Sequence, residues 1–153
     1  MQLIIHGGAG SLEGKTSEAK IIHQNLCKIW EETFEILKNK TAEEAVISGI
    51  CLLEDNPIFN AGTGSKLQAD GEVRMSAALM DGVNNRFSGV INVENIRFPI
   101  EAAALLSKEK NKVLSANQAT EFCRKHGFIK HDPVTPARLL EHEKKYSGLH
   151  GTV

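Results

Sequence analysis

Two glycine-rich stretches are the places where this sequence offers its backbone to chemistry: His6-Gly7-Gly8-Ala9-Gly10 and Asn60-Ala61-Gly62-Thr63-Gly64-Ser65. Glycine reaches positive φ and lets a ligand approach main-chain amides and carbonyls closely. After a strand, such a run can cradle a phosphate. The spacing speaks against that here. The first stretch lacks GxGxxG and no helix follows it at once, and in the second Lys66 comes after the serine rather than before it. A tight packing turn is the plain reading of the first. The second follows "LLEDNPIF", where a helix ends and Pro57 stiffens the exit. A chain coiled through Gly62 and Gly64 turns successive carbonyls inward, and those are hard oxygen ligands suited to a group 1 or group 2 cation.

The remaining chemistry-bearing residues point nowhere definite. Cys27, Cys51 and Cys123 form no CxxC pair, so neither a zinc site nor a disulfide framework is expected. Cys27 and Cys51 fall in helical segments and read as buried free thiols, which fits the reducing cytoplasm. Six histidines are scattered without ligand spacing. Lys and Arg number 18 against 19 Asp and Glu, a net charge of -1, so no broad attraction to nucleic acid or an anionic membrane is expected. No apolar run spans a bilayer, and the opening "MQLIIHGG" reads as a strand rather than a secretory leader.

These stretches must be positioned by a single-domain chain of 153 residues. A buried strand is expected at Leu3 to His6. Ser17 to Lys38 repeats apolar residues at helical spacing: Ile22, Leu26, Ile29, Thr33, Leu37. Thr41 opens a second helix through a capping box with Glu44, and its core face is Ala42, Ala45, Val46, Gly49, Ile50 and Leu53. Joined by a short turn, the two form an antiparallel hairpin. The period then changes to two. Val73, Met75, Ala77 and Leu79 alternate with polar or small residues, and Phe87, Gly89, Ile91 and Val93 alternate with Ser88, Val90 and Asn92. "DGVNN" between them is a hairpin turn. Pro99 starts a helix to about Lys108, "KVLSA" is a short strand, Ala116 to His126 is a helix stopped by Gly127, and Pro136 to Tyr146 is the last helix. Antiparallel strands with packed helices suggest α/β layers rather than a doubly wound sheet. The sheet looks underfilled, as in half of a larger fold. The closing "HGTV" reads as the start of a further strand.

Taken in order, "HGGAG", "LEDNPIFNAGTGSKLQADGEVRM", "ALMDG", "SGVINVENIRFPIEAA" and "HGTV" carry a resemblance. The sequence resembles the asparaginase type-2 or isoaspartyl peptidase family of N-terminal-nucleophile hydrolases, also called plant-type asparaginases. The resemblance covers nearly the whole chain and is weakest from about Lys108 to Leu149. It implies an αββα sandwich of the α+β class, to which this chain gives one helix layer and part of both sheets. It also implies self-cleavage before a threonine in a "GTVG"-like sequence. Here the scissile bond would be Gly151–Thr152 and the nucleophile Thr152. Residues 1–151 would belong to the α-subunit, and 152–153 would begin the β-subunit. A threonine hydroxyl needs an adjacent base, and a freed α-amine, with a pKa of ~8 against ~10 for lysine, can serve as one.

Further roles carry over from the resemblance. A structural sodium would be held by main-chain carbonyls of Leu53, Glu54, Asn56, Phe59, Ala61 and Thr63, with no organic cofactor. Asn60 would support the nucleophile, and His6, Gly7, Gly8, Ala9 and Gly10 would form the turn beside the scissile bond, with His6 structural. Where the family commonly has an aspartate this chain has Ser76, so a local hydrogen-bond network should differ. The implied partners are the β-subunit of the same precursor, a second αβ unit in an (αβ)2 dimer and a small-molecule substrate. The substrate clamp and oxyanion groups would lie in the β-subunit, so the chain by itself is expected to be an inactive fragment. The sibling chemistries are those of glycosylasparaginase and threonine aspartase. The different-class alternative is a glycine-rich nucleotide- or protein-binding module.

Overall fold

The computed structural model describes residues 1–10, 14 and 16–146. The chain divides into two compact units, Met1–Leu53 and Glu54–Val153. The boundary falls inside the second helix.

In the first unit, α1 (Thr16–Asn39) and α2 (Ala42–Asp55) form where the periodicity places them. Thr41 and Glu44 cap α2 reciprocally, with Thr41 N donating to Glu44 Oε2 at 2.9 Å and Glu44 N to Thr41 Oγ1 at 3.2 Å. α1 buries Ile29 and Thr33. α2 meets Thr33 at Gly49, where an added Cβ would lie 2.8 Å from the threonine's Cγ2 and Oγ1. The expected α2 face is corrected at its N-terminal end. Ala45, Gly49 and Leu53 are buried, but Ala42 is exposed and Val46 is 42% exposed. The first turn overhangs the contact. Cys27 is likewise not buried; it is exposed, 3.6 Å from His23 Nε2 one turn back on α1.

The strand expected at Leu3 to His6 is not one. The segment joins no ladder, and Ile4 is 91% exposed. Four apolar residues favour a strand only when a neighbour satisfies their backbone groups, and among the described residues none pairs with it.

In the second unit, β1 (Met75–Asp81) and β2 (Arg86–Val93) form the expected antiparallel hairpin. Its turn is held by Asp81, whose carboxylate accepts from Val83 N and from Asn84 N and Nδ2. α3 (Pro99–Leu106) then crosses over to β3 (Val113–Ser115), which pairs parallel to β2, so the sheet is mixed in the order β1-β2-β3. α4 (Ala116–Lys125) stops at Gly127, φ +84, and α5 (Pro136–Tyr146) ends the described chain.

The core lies on one side of the sheet, where Met75, Val90 and Val93 pack with Ile96, Ala102, Leu106, Ala119 and Cys123. The simple alternation in β2 is broken. Ser88, Val90 and Val93 face inward, while Phe87 and Ile91 are 51% and 47% exposed. The cause is a β-bulge between the pairs Met75↔Val93 and Ala77↔Val90. Asn92 takes φ +53 there and its N–H reaches Ser76 Oγ at 3.2 Å. An extra residue in one strand reverses the facing of everything beyond it. Ser76 thus lies opposite the bulge, where a carboxylate would change the bonding.

No helix among the described residues is long and apolar enough to cross a membrane.

Candidate functional site

The second glycine-rich stretch is built as a closed coil at the head of the second unit. α2 ends in Glu54 and Asp55, whose carboxylates turn to different partners. Asp55 accepts from Arg97 Nε and Nη2 at 2.8 and 2.9 Å, and that bidentate pair holds its carboxyl below the usual range. Glu54 is 2% exposed, and its Oε1 accepts from Ile100 N at 3.0 Å. It thereby caps α3, whose own N-cap residue Phe98 supplies no side-chain bond. Burial pushes the Glu54 carboxyl up to about 8, against the opposing pull of the Ile100 N–H and with the help of nearby Glu101. At neutral pH it is a buried neutral acid.

The backbone then coils back over the helix end. Thr63 N donates to Glu54 O at 2.7 Å, Phe59 N to Asn56 O at 3.1 Å and Ser65 N to Gly62 O at 3.0 Å. Phe59, 4% exposed, anchors the turn. Asn60 Oδ1 accepts from Lys66 N at 2.7 Å, so the asparagine braces its own loop. Two glycines are required. A Cβ on Gly62 would stand 2.3 Å from Glu54 O, and one on Gly64 would stand 2.5 Å from Pro57 O at φ +85. Both obstacles are backbone and cannot swing aside.

This packing fits the cation expectation in donor chemistry. The loop offers hard main-chain oxygens, of which Glu54 O and Asn56 O also accept main-chain N–H groups, and a side chain on Gly62 or Gly64 is excluded by Glu54 O and Pro57 O. Among the described residues no three His, Cys, Asp or Glu side chains gather in a metal-holding group, which leaves main-chain oxygens as the candidate ligands. Glu54, Asn56, Phe59, Ala61 and Thr63 belong to the loop, while Leu53 is the last residue of the first unit.

Residues far along the chain also hold this loop. Thr63 Oγ1 lies 2.9 Å from His131 Nε2, Gly64 N donates to Pro133 O at 2.8 Å, and Arg138 Nε donates to Gly64 O at 2.6 Å. Neither His131, Arg97 and Arg138 nor the capping carboxyl of Glu54 is legible as functional in the sequence. No motif spacing marks them, because their partners, the Asp55 carboxylate, the Thr63 hydroxyl, Gly64 O and Ile100 N, lie 42 to 74 residues away.

The first glycine-rich stretch belongs to the first unit. Gly8 adopts φ +115, and its N–H donates to His6 Nδ1 at 3.2 Å, so His6 braces the turn. Among the described residues, Gly8 and Gly10 have no heavy atom within 4 Å of an added Cβ. Trp30 Nε1 donates to Leu3 O at 3.1 Å and ties the segment before the turn to α1. Gly151 and Thr152 lie outside the described residues.

Comparison with known proteins adds an independent line. The family described as asparaginase, Asparaginase_2, matches residues 1–149. The chain is 46% identical over 142 residues to the isoaspartyl peptidase/L-asparaginase of Nostoc sp., which covers 92% of this chain and 44% of the relative. It is 37% identical over 146 residues to the plant-type L-asparaginase of Thermococcus kodakarensis, covering 93% of this chain and 46% of the relative. A rat isoaspartyl peptidase/L-asparaginase is 33% identical over 148 residues, covering 94% of this chain and 43% of the relative. The chain therefore spans less than half the length of the curated relatives it matches.

Proposed function

The chain belongs to the asparaginase family, and from that premise we propose that it is part of a self-processing threonine amidohydrolase acting on the β-amide of L-asparagine and on β-aspartyl dipeptides. Thr152 is the nucleophile: its hydroxyl attacks the Gly151 carbonyl, the N-to-O acyl shift breaks the amide and frees the α-amine, and water then hydrolyses the ester to release the Gly151 carboxylate and the Thr152 hydroxyl. The new α-amine then serves as base. Asn60 and the turn from His6 to Gly10 support that centre. Carbonyls of Glu54, Asn56, Phe59, Ala61 and Thr63 would hold a structural sodium, a hard cation suited to oxygen ligands. A β-subunit of the same precursor supplies the substrate clamp and oxyanion donors, and two αβ units form the working (αβ)2 dimer in the cytoplasm.

The observation that carries this reading is the loop from Glu54 to Ser65. Its sequence is the most specific part of the family resemblance, and its two glycines close it against main-chain oxygens with no space for a side chain. A phosphate cradle would need free amides, yet Thr63 N, Gly64 N and Ser65 N are all committed to carbonyls within the unit.

The test is a precursor extended to the length of the relatives. After processing it should release ammonia from L-asparagine and aspartate from a β-aspartyl dipeptide. A processed protein that hydrolyses neither, or one stabilised by ATP and not by sodium, would sink the reading.

A further inference from the structure

The loop at Glu54–Ser65 is fastened from one side by a segment with which it shares no sequence pattern. Three bonds run to residues 131–138: Thr63 Oγ1 with His131 Nε2, Gly64 N to Pro133 O, and Arg138 Nε to Gly64 O. A fourth link comes from the residue just after the loop, where Lys66 Nζ lies 3.0 Å from Glu141 Oε1. Arg138 stands at the centre. It gives its Nε to Gly64 and its Nη1 to Glu141 Oε2 at 2.6 Å, and its side chain is only 18% exposed. Glu141 therefore sits between Arg138 and Lys66, and its bonds to those two cations hold its carboxyl below the usual range.

The position is electrostatically unfavourable for the helix. Arg138 lies in the first turn of α5, where the macrodipole is positive and carboxylates are preferred. No acidic residue occupies that turn. A lysine would also fit poorly, because one ammonium cannot reproduce a fork serving a carbonyl and a carboxylate in fixed directions.

We propose that Arg138 is a positioning residue, which locks the Gly64 turn of the glycine-coiled loop to the start of α5, the last helix among the described residues before Gly151–Thr152 in the sequence. The chemistry it serves rests on the self-processing reading above. Arg138 fixes the carbonyl-bearing turn that Asn60 and Thr63 belong to.

Two measurements separate this from a general loss of fold and from failure of the self-processing reading. The first is amide hydrogen exchange of the 153-residue chain. Arg138→Ala should lower protection at Thr63, Gly64 and Ser65 by tenfold or more, while amides of the β1–β2 hairpin keep theirs. Arg138→Lys should recover part of it. Glu141→Gln, which leaves the Gly64 bond in place, should change it less than threefold. Equal loss across loop and hairpin, or no loss at the loop, overturns the proposal. The second is the rate of self-cleavage in the extended precursor. Arg138→Ala should slow it tenfold or more and Arg138→Lys less. Cleavage at the unaltered rate in Arg138→Ala overturns the positioning role. A wild-type precursor that never cleaves removes the chemical reading, while the exchange result still decides whether the lock exists.

Discussion

Two regions of this molecule are closed by glycines, and they are closed differently. In the helical hairpin of the first unit, Gly49 faces the side chain of Thr33. In the loop of the second unit, Gly62 and Gly64 face main-chain oxygens of Glu54 and Pro57. A side chain can change rotamer or be replaced, but a carbonyl held at a helix end cannot. The hairpin glycine therefore sets a packing distance, whereas the loop glycines set a shape. Stability in the first region should be repairable by a second substitution, and in the other it should not.

The largest effect is expected at Gly62→Ala. A Cβ at 2.3 Å from Glu54 O must unseat the coil, and a loss of about 3 kcal/mol or more is expected for a clash that the backbone cannot relieve. Denaturant unfolding measures it, and no single side-chain truncation should restore it. Wild-type stability in Gly62→Ala would show that the loop is looser than described.

Next comes the buried acid that caps α3. Because the folded pKa of Glu54, about 8, exceeds the ordinary 4.5, folding favours the protonated form. Its penalty is absent below the ordinary carboxylate range, grows as pH rises and is complete above about 8. Glu54→Gln keeps an acceptor for Ile100 N and removes the titration. Its unfolding free energy should be flatter between pH 5 and 9, with a gain on the order of 2 kcal/mol at the alkaline end. An unchanged slope would mean that Glu54 ionises normally.

Gly49→Ala should be milder, about 1–2 kcal/mol, because Thr33 can yield. Adding Thr33→Ala should return part of it, with a coupling of about 1 kcal/mol in a double-mutant cycle. Strict additivity would separate the two residues. The smallest effect belongs to the exposed Lys38–Glu35 pair on α1, 2.6 Å apart. Lys38→Ala should cost under about 0.5 kcal/mol, readable as a small midpoint shift that vanishes at high salt.

The comparison also explains how much could be read from the sequence. Helices were legible because their signals are local: the Thr41–Glu44 box, Pro99 at a helix start and Gly127 at a helix stop each act within a turn. The hairpin at "DGVNN" followed from period and turn chemistry, while the α+β class came with the family resemblance. What failed was non-local. Leu3–His6 has strand composition but no strand beside it among the described residues. The facing of Phe87 and Ile91 was decided by one bulge at Asn92. The parallel pairing of β3 depended on where α3 returned the chain. In the candidate site the glycines announced themselves, while Arg138, His131 and the capping carboxyl of Glu54 did not. Their roles exist only after distant parts of the chain have been brought within reach.

The central claim is that the hydroxyl of Thr152 cuts the bond before it. Intact-mass analysis of the extended precursor, purified and then incubated at neutral pH, tests this most directly. Two fragments should appear, one ending at Gly151 and the other beginning with Thr152, and Thr152→Ala should stay whole. An uncut wild-type chain, or a Thr152→Ala chain that divides at the same bond, would contradict it.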